Sequence, residues 1–177
     1  MSDLPLLDKE TVREAFRRLA TCLARRHIVA NVYLFGGGAI LMAFDGQRRT
    51  RDLDARFTST SDVHADVHAV ADEMGLPRWW LNDQVTSYLP RRDDPHPAPV
   101  FDHPNLRVMR VSDRHLLAMK AAASRRNTAD MGDIKLLADR LGLTTQEQVI
   151  SLHEEVFPDE PLSEGKRAII AEALGVR

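Results

Sequence analysis

The chain has 177 residues, of which 44% are hydrophobic and 28% charged, the composition of an ordinary globular domain. No segment reaches the roughly 18 consecutive apolar residues of a membrane helix. The N-terminus lacks the basic start and apolar run of a signal peptide, so we expect a cytoplasmic protein with no membrane partner. The net charge of −2 gives no overall basic character suited to nucleic acid, and the single cysteine excludes an internal disulfide.

The first third of the chain predicts two alternations of helix and strand. Apolar residues at helical spacing indicate a helix over residues 8–26. The β-branched, aromatic and aliphatic residues of 27–35 predict a buried strand that three glycines end. A short helix through Ala43 follows the glycines, and a turn at Asp45-Gly46 leads into a strictly alternating strand over 50–57.

The middle of the chain is less regular. The Thr58–Ser61 cluster is expected to cap a helix that runs to Met74. Residues 77–104 are rich in proline and aspartate, so we predict irregular structure with one short strand near Val85 to Leu89. Alternation of apolar residues with arginines predicts a further strand over 106–111.

The last third predicts helices. Ser112 is expected to cap one helix, and a second should end before Gly142. Thr144-x-x-Glu147 has the pattern of a capping box for a third, and Ser163 opens a fourth.

The order of elements predicts an α/β (α+β) core over residues 1–111 and a helical subdomain over 112–177. Charge is distributed unevenly along this chain. Residues 105–126 carry six basic residues and one acidic residue, whereas 144–165 carry six acidic residues and no lysine or arginine. Solvated helix faces and a molecule with one anion-binding side both fit this distribution.

Two features of the core predict binding sites, one for an anion and one for a cation. The order of strand, glycine turn and helix start places backbone N–H groups of Gly37 and Gly38 at one anion site. Asp52 and Asp54 alternate along the next strand, so they share a face and can hold a hard divalent cation. Alone, the pair also fits two surface acids on an edge strand. Beside a phosphate-binding turn, it indicates a site that orients a nucleoside triphosphate and its metal.

The glycine pair, a short helix and then Arg49-Thr50-Arg51-Asp52-Leu53-Asp54 resemble the signature of the polymerase-β-type nucleotidyltransferase superfamily. The resemblance implies the nucleotidyltransferase fold, a mixed sheet flanked by helices, with a helical C-terminal part. One departure is Gly38, which stands where many members of the superfamily have serine. That difference removes a hydroxyl contact to the triphosphate and leaves the backbone N–H groups.

Two further segments resemble, more narrowly, the AbiEii/MenT-like toxin nucleotidyltransferases. They are Trp80-Leu81-Asn82-Asp83 and a stretch from Leu116 to Lys120 that leads through Arg125 to Asp130-x-x-Asp133. Together with the glycine-to-aspartate unit, they cover most of residues 28–140. This narrower likeness implies the toxin of a toxin–antitoxin pair, with a cognate antitoxin as partner.

The resemblance implies roles for individual residues in a magnesium-dependent transfer. Asp52 and Asp54 would coordinate Mg²⁺ on the triphosphate, while Gly37, Gly38 and Thr50 contact the nucleotide. A substrate hydroxyl then attacks the α-phosphorus in line, and pyrophosphate leaves.

The same resemblance gives the C-terminal part a role in binding the triphosphate. Lys120 would neutralise triphosphate oxygens, with Arg125 as a weaker candidate for that task. The alternative for Lys120 is a solvated lysine whose stem lies along the core. Asp133 would orient Lys120 or an arginine, whereas Asp130 also fits a first-turn acid that suits the helix dipole.

Other candidates are expected to be structural. A third carboxylate could come from Asp83 or Asp102, although turn chemistry accounts for each of them. His64 and His68 have the spacing of a metal pair without a third ligand, so we predict a solvated helix face. Trp79-Trp80 could stack a base, but packing of a loop against the core also explains the pair.

These features predict an enzyme that transfers a nucleoside monophosphate from an NTP to an acceptor hydroxyl, with the 3′ end of tRNA as the leading acceptor. A second hypothesis keeps the chemistry and changes the acceptor to an aminoglycoside-like small molecule or a protein. A third is a nucleotide-binding module without catalysis.

Overall fold

The structure is a computed structural model that describes residues 5–44, 48–59, 61–84, 89–91 and 93–176. Within these ranges the helices are α1 (Lys9–Arg25), α2 (Gly36–Ala43), α3 (His64–Met74), α4 (Asp113–Ala123), α5 (Ala129–Leu141), α6 (Gln146–Val156) and α7 (Glu164–Leu174). The strands are β1 (Ala30–Leu34), β2 (Leu53–Ser59), β3 (Leu81–Asn82), β4 (Ala98–His103) and β5 (Leu106–Arg110). A mixed sheet flanked by helices confirms the predicted α+β fold class. None of the helices in the described part of the chain is long and apolar enough to cross a bilayer.

The chain divides into two compact units. The first comprises residues 1–87 and 97–111 and holds the sheet with α1, α2 and α3. The second comprises residues 88–96 and 112–177 and holds α4 to α7. One boundary falls between Val111 and Ser112, and the segment 88–96 is grouped with the helices.

The sheet has the strand order β3-β2-β1-β5-β4, with β1 at its centre. β1 runs antiparallel to β2 and parallel to β5, while β3 is parallel to β2 and β4 is antiparallel to β5. Ala30, Val32 and Leu34 of β1 are buried, whereas the alternating Asn31 and Tyr33 are half-buried. One face of the central strand therefore meets the core.

The core of the first unit forms around α1. Its inward side chains are buried at the spacing that the sequence predicts: Val12, Phe16, Leu19 and Leu23. The Phe16 ring lies 6.0 Å from the Trp80 ring and 5.8 Å from the Phe101 ring. This aromatic cluster joins α1 to the residue before β3 and to β4, and so holds both edge strands against one helix.

Two predicted boundaries near β2 were wrong. The strand begins at Leu53, and Thr50 instead forms an isolated bridge with Leu7. The strand continues to Ser59, so Thr58 and Ser59 of the predicted cap cluster belong to β2. The N-cap of α3 is Val63, whose side chain makes no capping hydrogen bond. Thr60, the predicted turn at Asp45-Gly46 and residues 85–88 of the predicted short strand lie outside the described residues.

The sequence did not predict β4, which occupies part of the segment expected to be irregular. Pro99 lies within this strand, and the register shifts between Pro99 and Phe101. A proline is tolerated here because β4 is an edge strand, where its missing N–H can face away from the neighbouring strand. The same segment also contains β3, a strand of two residues.

The helical unit begins and ends its elements largely as predicted. Ser112 caps α4 by accepting a hydrogen bond from the backbone of His115. Gly142 ends α5 in the left-handed conformation. The capping box of α6 is shifted by one residue from the prediction and uses Thr145 and Gln148. The sequence Thr-Thr-Gln-Glu-Gln fits the pattern in both registers, and the Gln148 amide closes the second one by accepting from the Thr145 backbone.

Candidate active site

The glycine turn between β1 and α2 has the backbone geometry of an anion site. Gly36 has φ +57°, in the left-handed region that favours glycine. Phe35 donates its backbone N–H to the carbonyl of Asp54 at 2.9 Å, which fastens the turn to β2. No side chain of the described residues caps α2. The first N–H groups of this helix have no acceptor inside it, so they can bind an anion.

Gly38 touches the backbone of β2. A Cβ atom at this position would lie 2.5 Å from Cδ2 and 3.2 Å from Cα of Leu53, so α2 rests directly on the strand. At Gly37, a Cβ atom would lie 3.7 Å from Thr50 Oγ1, an ordinary contact. A side chain at Gly38 would require Leu53 to shift, so the close approach of α2 to β2 accounts for a glycine at this position.

Asp54 borders the glycine turn from β2. A Cβ atom on Gly36 would lie 3.4 Å from Asp54 Oδ2, so the carboxylate lies against the start of α2. The residue is half-buried between the buried Leu53 and Ala55. Asp54 and the glycine turn thus meet at one corner of the sheet. We name this site, formed by Gly36, Gly37, Gly38, Asp52 and Asp54, the glycine corner.

Asp52 directly precedes β2 and is also half-buried. Its Oδ2 accepts a hydrogen bond from Asn82 Nδ2 at 3.2 Å. Burial raises the pKa of Asp52, while the Asn82 amide and the charge of Arg51 act in the opposite direction. The Thr50 hydroxyl donates to the Asp52 carbonyl at 3.0 Å and shapes the turn into the strand. A partly buried carboxylate whose ionisation is disfavoured fits a cation, because a cation would stabilise its charge.

Asn82 is a site residue to which the sequence assigned no role. It lies opposite Asp54 in the parallel β2–β3 pairing and donates to Asp52. The same nitrogen also donates to the Trp79 carbonyl at 3.3 Å. Its position in the Trp80–Asp83 segment was the only signal for it in the sequence, since asparagine is common in turn-rich stretches whatever its function.

The two candidates for a third carboxylate have other contacts. Asp83 is exposed and lies 3.3 Å from His64 Nε2. Asp102 is exposed on the edge strand β4 and lies 3.5 Å from Arg107 Nε. Across the described ranges, no group of three or more histidine, cysteine, aspartate or glutamate residues has the arrangement of a metal site.

Lys120 belongs to the second unit, where it holds two acids together. Its Nζ lies 2.9 Å from Asp130 Oδ1 and 2.9 Å from Asp133 Oδ2, and all three side chains are largely buried. Burial alone would lower the pKa of Lys120, but its hydrogen bonds to both carboxylates outweigh burial and raise the pKa. Asp133 thus contacts the lysine that it was expected to orient, while Arg125 is exposed. The roles of all three residues toward a nucleotide stay predictions.

A second polar cluster in the same unit joins Asp94, Ser112 and His115. His115 Nδ1 lies 3.4 Å from both Asp94 Oδ1 and Ser112 Oγ. Its Nε2 is buried and has no hydrogen-bond partner among the described residues. A serine nucleophile needs its base and the orienting acid on opposite ring nitrogens. Because both contacts use Nδ1, this cluster does not have the geometry of a hydrolase triad.

Four basic residues of the 105–126 run form ion pairs within their own units. Arg107 pairs with Asp102, Arg114 with Glu155, Lys120 with two acids, and Arg126 with Glu172. Four of the six basic residues of this run therefore have acidic partners. Three exposed arginines lie close to Asp52 and Asp54 in the sequence: Arg49, Arg51 and Arg56.

His64 and His68 are both exposed on α3. His64 Nδ1 lies 2.7 Å from Asp62 Oδ1, and this hydrogen bond raises the pKa of the histidine.

No family model, curated protein or solved structure matches this chain.

Proposed function

We propose that this protein is a magnesium-dependent nucleotidyltransferase that moves a nucleoside monophosphate from an NTP to an acceptor hydroxyl. The observation that carries the proposal is the position of the Asp54 carboxylate, whose Oδ2 lies 3.4 Å from the Cβ position of Gly36. An acid at that point, with Asp52 two residues earlier, sets hard oxygen donors beside the first N–H groups of α2.

Different residues of the glycine corner bind different parts of the metal–triphosphate complex. The N–H groups at the start of α2 bind phosphate oxygens, and Thr50 shapes the turn beside Gly37. Asp52 and Asp54 hold Mg²⁺, which neutralises charge on the triphosphate when bound. Asn82 orients Asp52 through its amide. Attack of the acceptor hydroxyl at the α-phosphorus then releases pyrophosphate.

RNA, in particular the 3′ end of tRNA, is the proposed acceptor. The exposed Arg49, Arg51 and Arg56 near the acids support a phosphate-rich substrate, because arginines there can neutralise backbone phosphates. The paired basic run at 105–126 adds little to this support. The role as a toxin with an antitoxin partner rests on the family resemblance.

The proposal is tested by incubating the protein with each α-labelled NTP, Mg²⁺ and total RNA. We expect label in RNA with wild-type protein and its loss with Asp54→Asn, Asp52→Asn or a chelator. Asp72→Asn is the matched control, because it removes one exposed acid from α3 of the same unit.

The same assay separates the alternatives. Label in a small molecule or in protein would replace RNA as the acceptor and keep the chemistry. NTP binding that depends on Asp54 without any pyrophosphate release would support a binding module and overturn the enzymatic proposal.

A further inference from the structure

Two adjacent tryptophans have opposite environments. Trp80 is fully buried, and its Nε1 donates to the Val67 carbonyl at 3.1 Å. Trp79 is 41% exposed and is one of four large hydrophobic residues exposed within the described part of the chain. Packing of the turn against the core therefore accounts for Trp80 and does not account for the exposed indole of Trp79.

The Trp79 carbonyl and the Asp52 carboxylate accept hydrogen bonds from the same side-chain amide. Asn82 Nδ2 donates both to the Trp79 carbonyl at 3.3 Å and to Asp52 Oδ2 at 3.2 Å. The Trp79 carbonyl and the Asp52 carboxylate therefore lie on either side of one amide nitrogen, close to each other. All of these residues lie in the first unit.

We propose that Trp79 stacks on the base of the nucleoside triphosphate whose phosphates lie at the glycine corner. This inference rests on the proposed function and assigns a residue to its base-binding part. An indole is a flat, rigid surface, so stacking on it costs little conformational entropy. Every base has a π-face, so Trp79 supplies affinity with little selectivity among the four bases.

Alanine substitution of a stacking aromatic weakens binding by about 5- to 150-fold per base. We therefore expect Trp79→Ala to weaken the binding of Mg²⁺-ATP by a factor in that range, measured by calorimetry without acceptor. Trp79→Phe keeps a stacking surface and should stay within about threefold of wild type. Val29→Ala is the matched control, because Val29 is an exposed hydrophobic residue just before the central strand and is 54% exposed.

Inorganic tripolyphosphate with Mg²⁺ isolates the contribution of the base. This ligand keeps the phosphates and has no ring to stack, so wild-type protein and Trp79→Ala should bind it equally. Unequal binding would overturn the proposal, because it would show that Trp79 acts on the phosphate site.

Intrinsic fluorescence gives a readout that does not depend on activity. Mg²⁺-ATP should quench the emission of wild-type protein by stacking on Trp79. In Trp79→Phe the remaining emission comes from the buried Trp80 and should not change. Quenching that persists in Trp79→Phe would contradict the assignment.

The outcomes separate this inference from the function on which it rests. Failure of wild-type protein to bind any Mg²⁺-NTP would refute both. Binding that requires Asp54 but is unchanged in Trp79→Ala would refute the stacking alone. A Trp79→Ala defect confined to RNA binding would also refute it, since the surface would then serve the acceptor.

Discussion

Two acidic clusters in this chain satisfy their charge in different ways. At the glycine corner, a neutral amide meets the Asp52 carboxylate, and burial raises the pKa of that acid. In the helical unit, the Lys120 ammonium group lies between Asp130 and Asp133 and contacts both carboxylates. The second arrangement carries its own cation, and the first is the one that we propose to hold an external cation. The two pairs of carboxylates thus differ in the side chains that the fold places against them.

The largest expected effect on stability comes from breaking the cluster of Lys120, Asp130 and Asp133. Lys120→Met removes the cation that both largely buried acids contact, which costs about 3–5 kcal/mol of unfolding free energy. Lys135→Met removes an exposed ion pair with Asp139 and should cost no more than about 1 kcal/mol. Denaturant unfolding measures both. Equal losses in the two variants would show that the buried cluster is not a distinct stabilising feature.

The contact between α2 and β2 gives the next largest effect. Gly38→Ser forces a side chain against the Leu53 backbone and should cost about 1–3 kcal/mol, as overpacking does. Gly37→Ser meets only an ordinary contact with Thr50 and should change stability by less than about 1 kcal/mol. If Gly38→Ser were as stable as wild type, the steric explanation for this glycine would fail.

Much of the fold and half of the site follow from local patterns. Apolar spacing predicted α1, and the glycine-to-aspartate unit predicted the corner where Asp54 meets Gly36. These features depend on residues close in sequence. β4 was missed because its proline is tolerated only at a sheet edge, which the sequence does not reveal. Asn82 was missed as a site residue because it meets Asp52 thirty positions away, across a strand pairing.

Substitution of Asn82 tests how much the affinity of the glycine corner for Mg²⁺-ATP depends on the side-chain amide that contacts Asp52. Asn82→Ala should weaken Mg²⁺-ATP binding by about 10- to 100-fold, as loss of a hydrogen-bond partner of a metal ligand does. Asn31→Ala, which removes a half-buried amide from β1, serves as the control. Calorimetry compares the two. Unchanged affinity in Asn82→Ala would mean that Asp52 needs no support from β3.

Protonation of Asp52 and protonation of Asp130 should change the stability of the fold in opposite directions. Because the folded-state pKa of Asp52 is raised, its charge lowers stability above that pKa, so Asp52→Asn should be more stable than wild type at neutral pH. The gain should vanish as pH falls below the unfolded-state pKa of about 4.

Asp130 supplies the opposing case. Burial alone would raise the pKa of Asp130, but the contacts with Lys120 and Thr128 and a backbone hydrogen bond from Arg125 together lower the pKa. Its stabilisation is therefore present above the unfolded-state pKa and is lost as pH falls through the folded one, so Asp130→Asn should be less stable than wild type at neutral pH. Thermal unfolding across a pH series measures both variants. Shifts of the same sign would contradict the comparison.

The most direct test of the central claim is calorimetric titration of Mg²⁺-ATP into wild-type protein, Asp54→Asn and Asp72→Asn. Wild type and Asp72→Asn should bind with equal affinity, and Asp54→Asn should lose binding, because Asp54 borders the glycine turn whereas Asp72 pairs with Arg78 on the surface. Equal binding by all three proteins, or binding by none, would contradict a metal–triphosphate site at this corner.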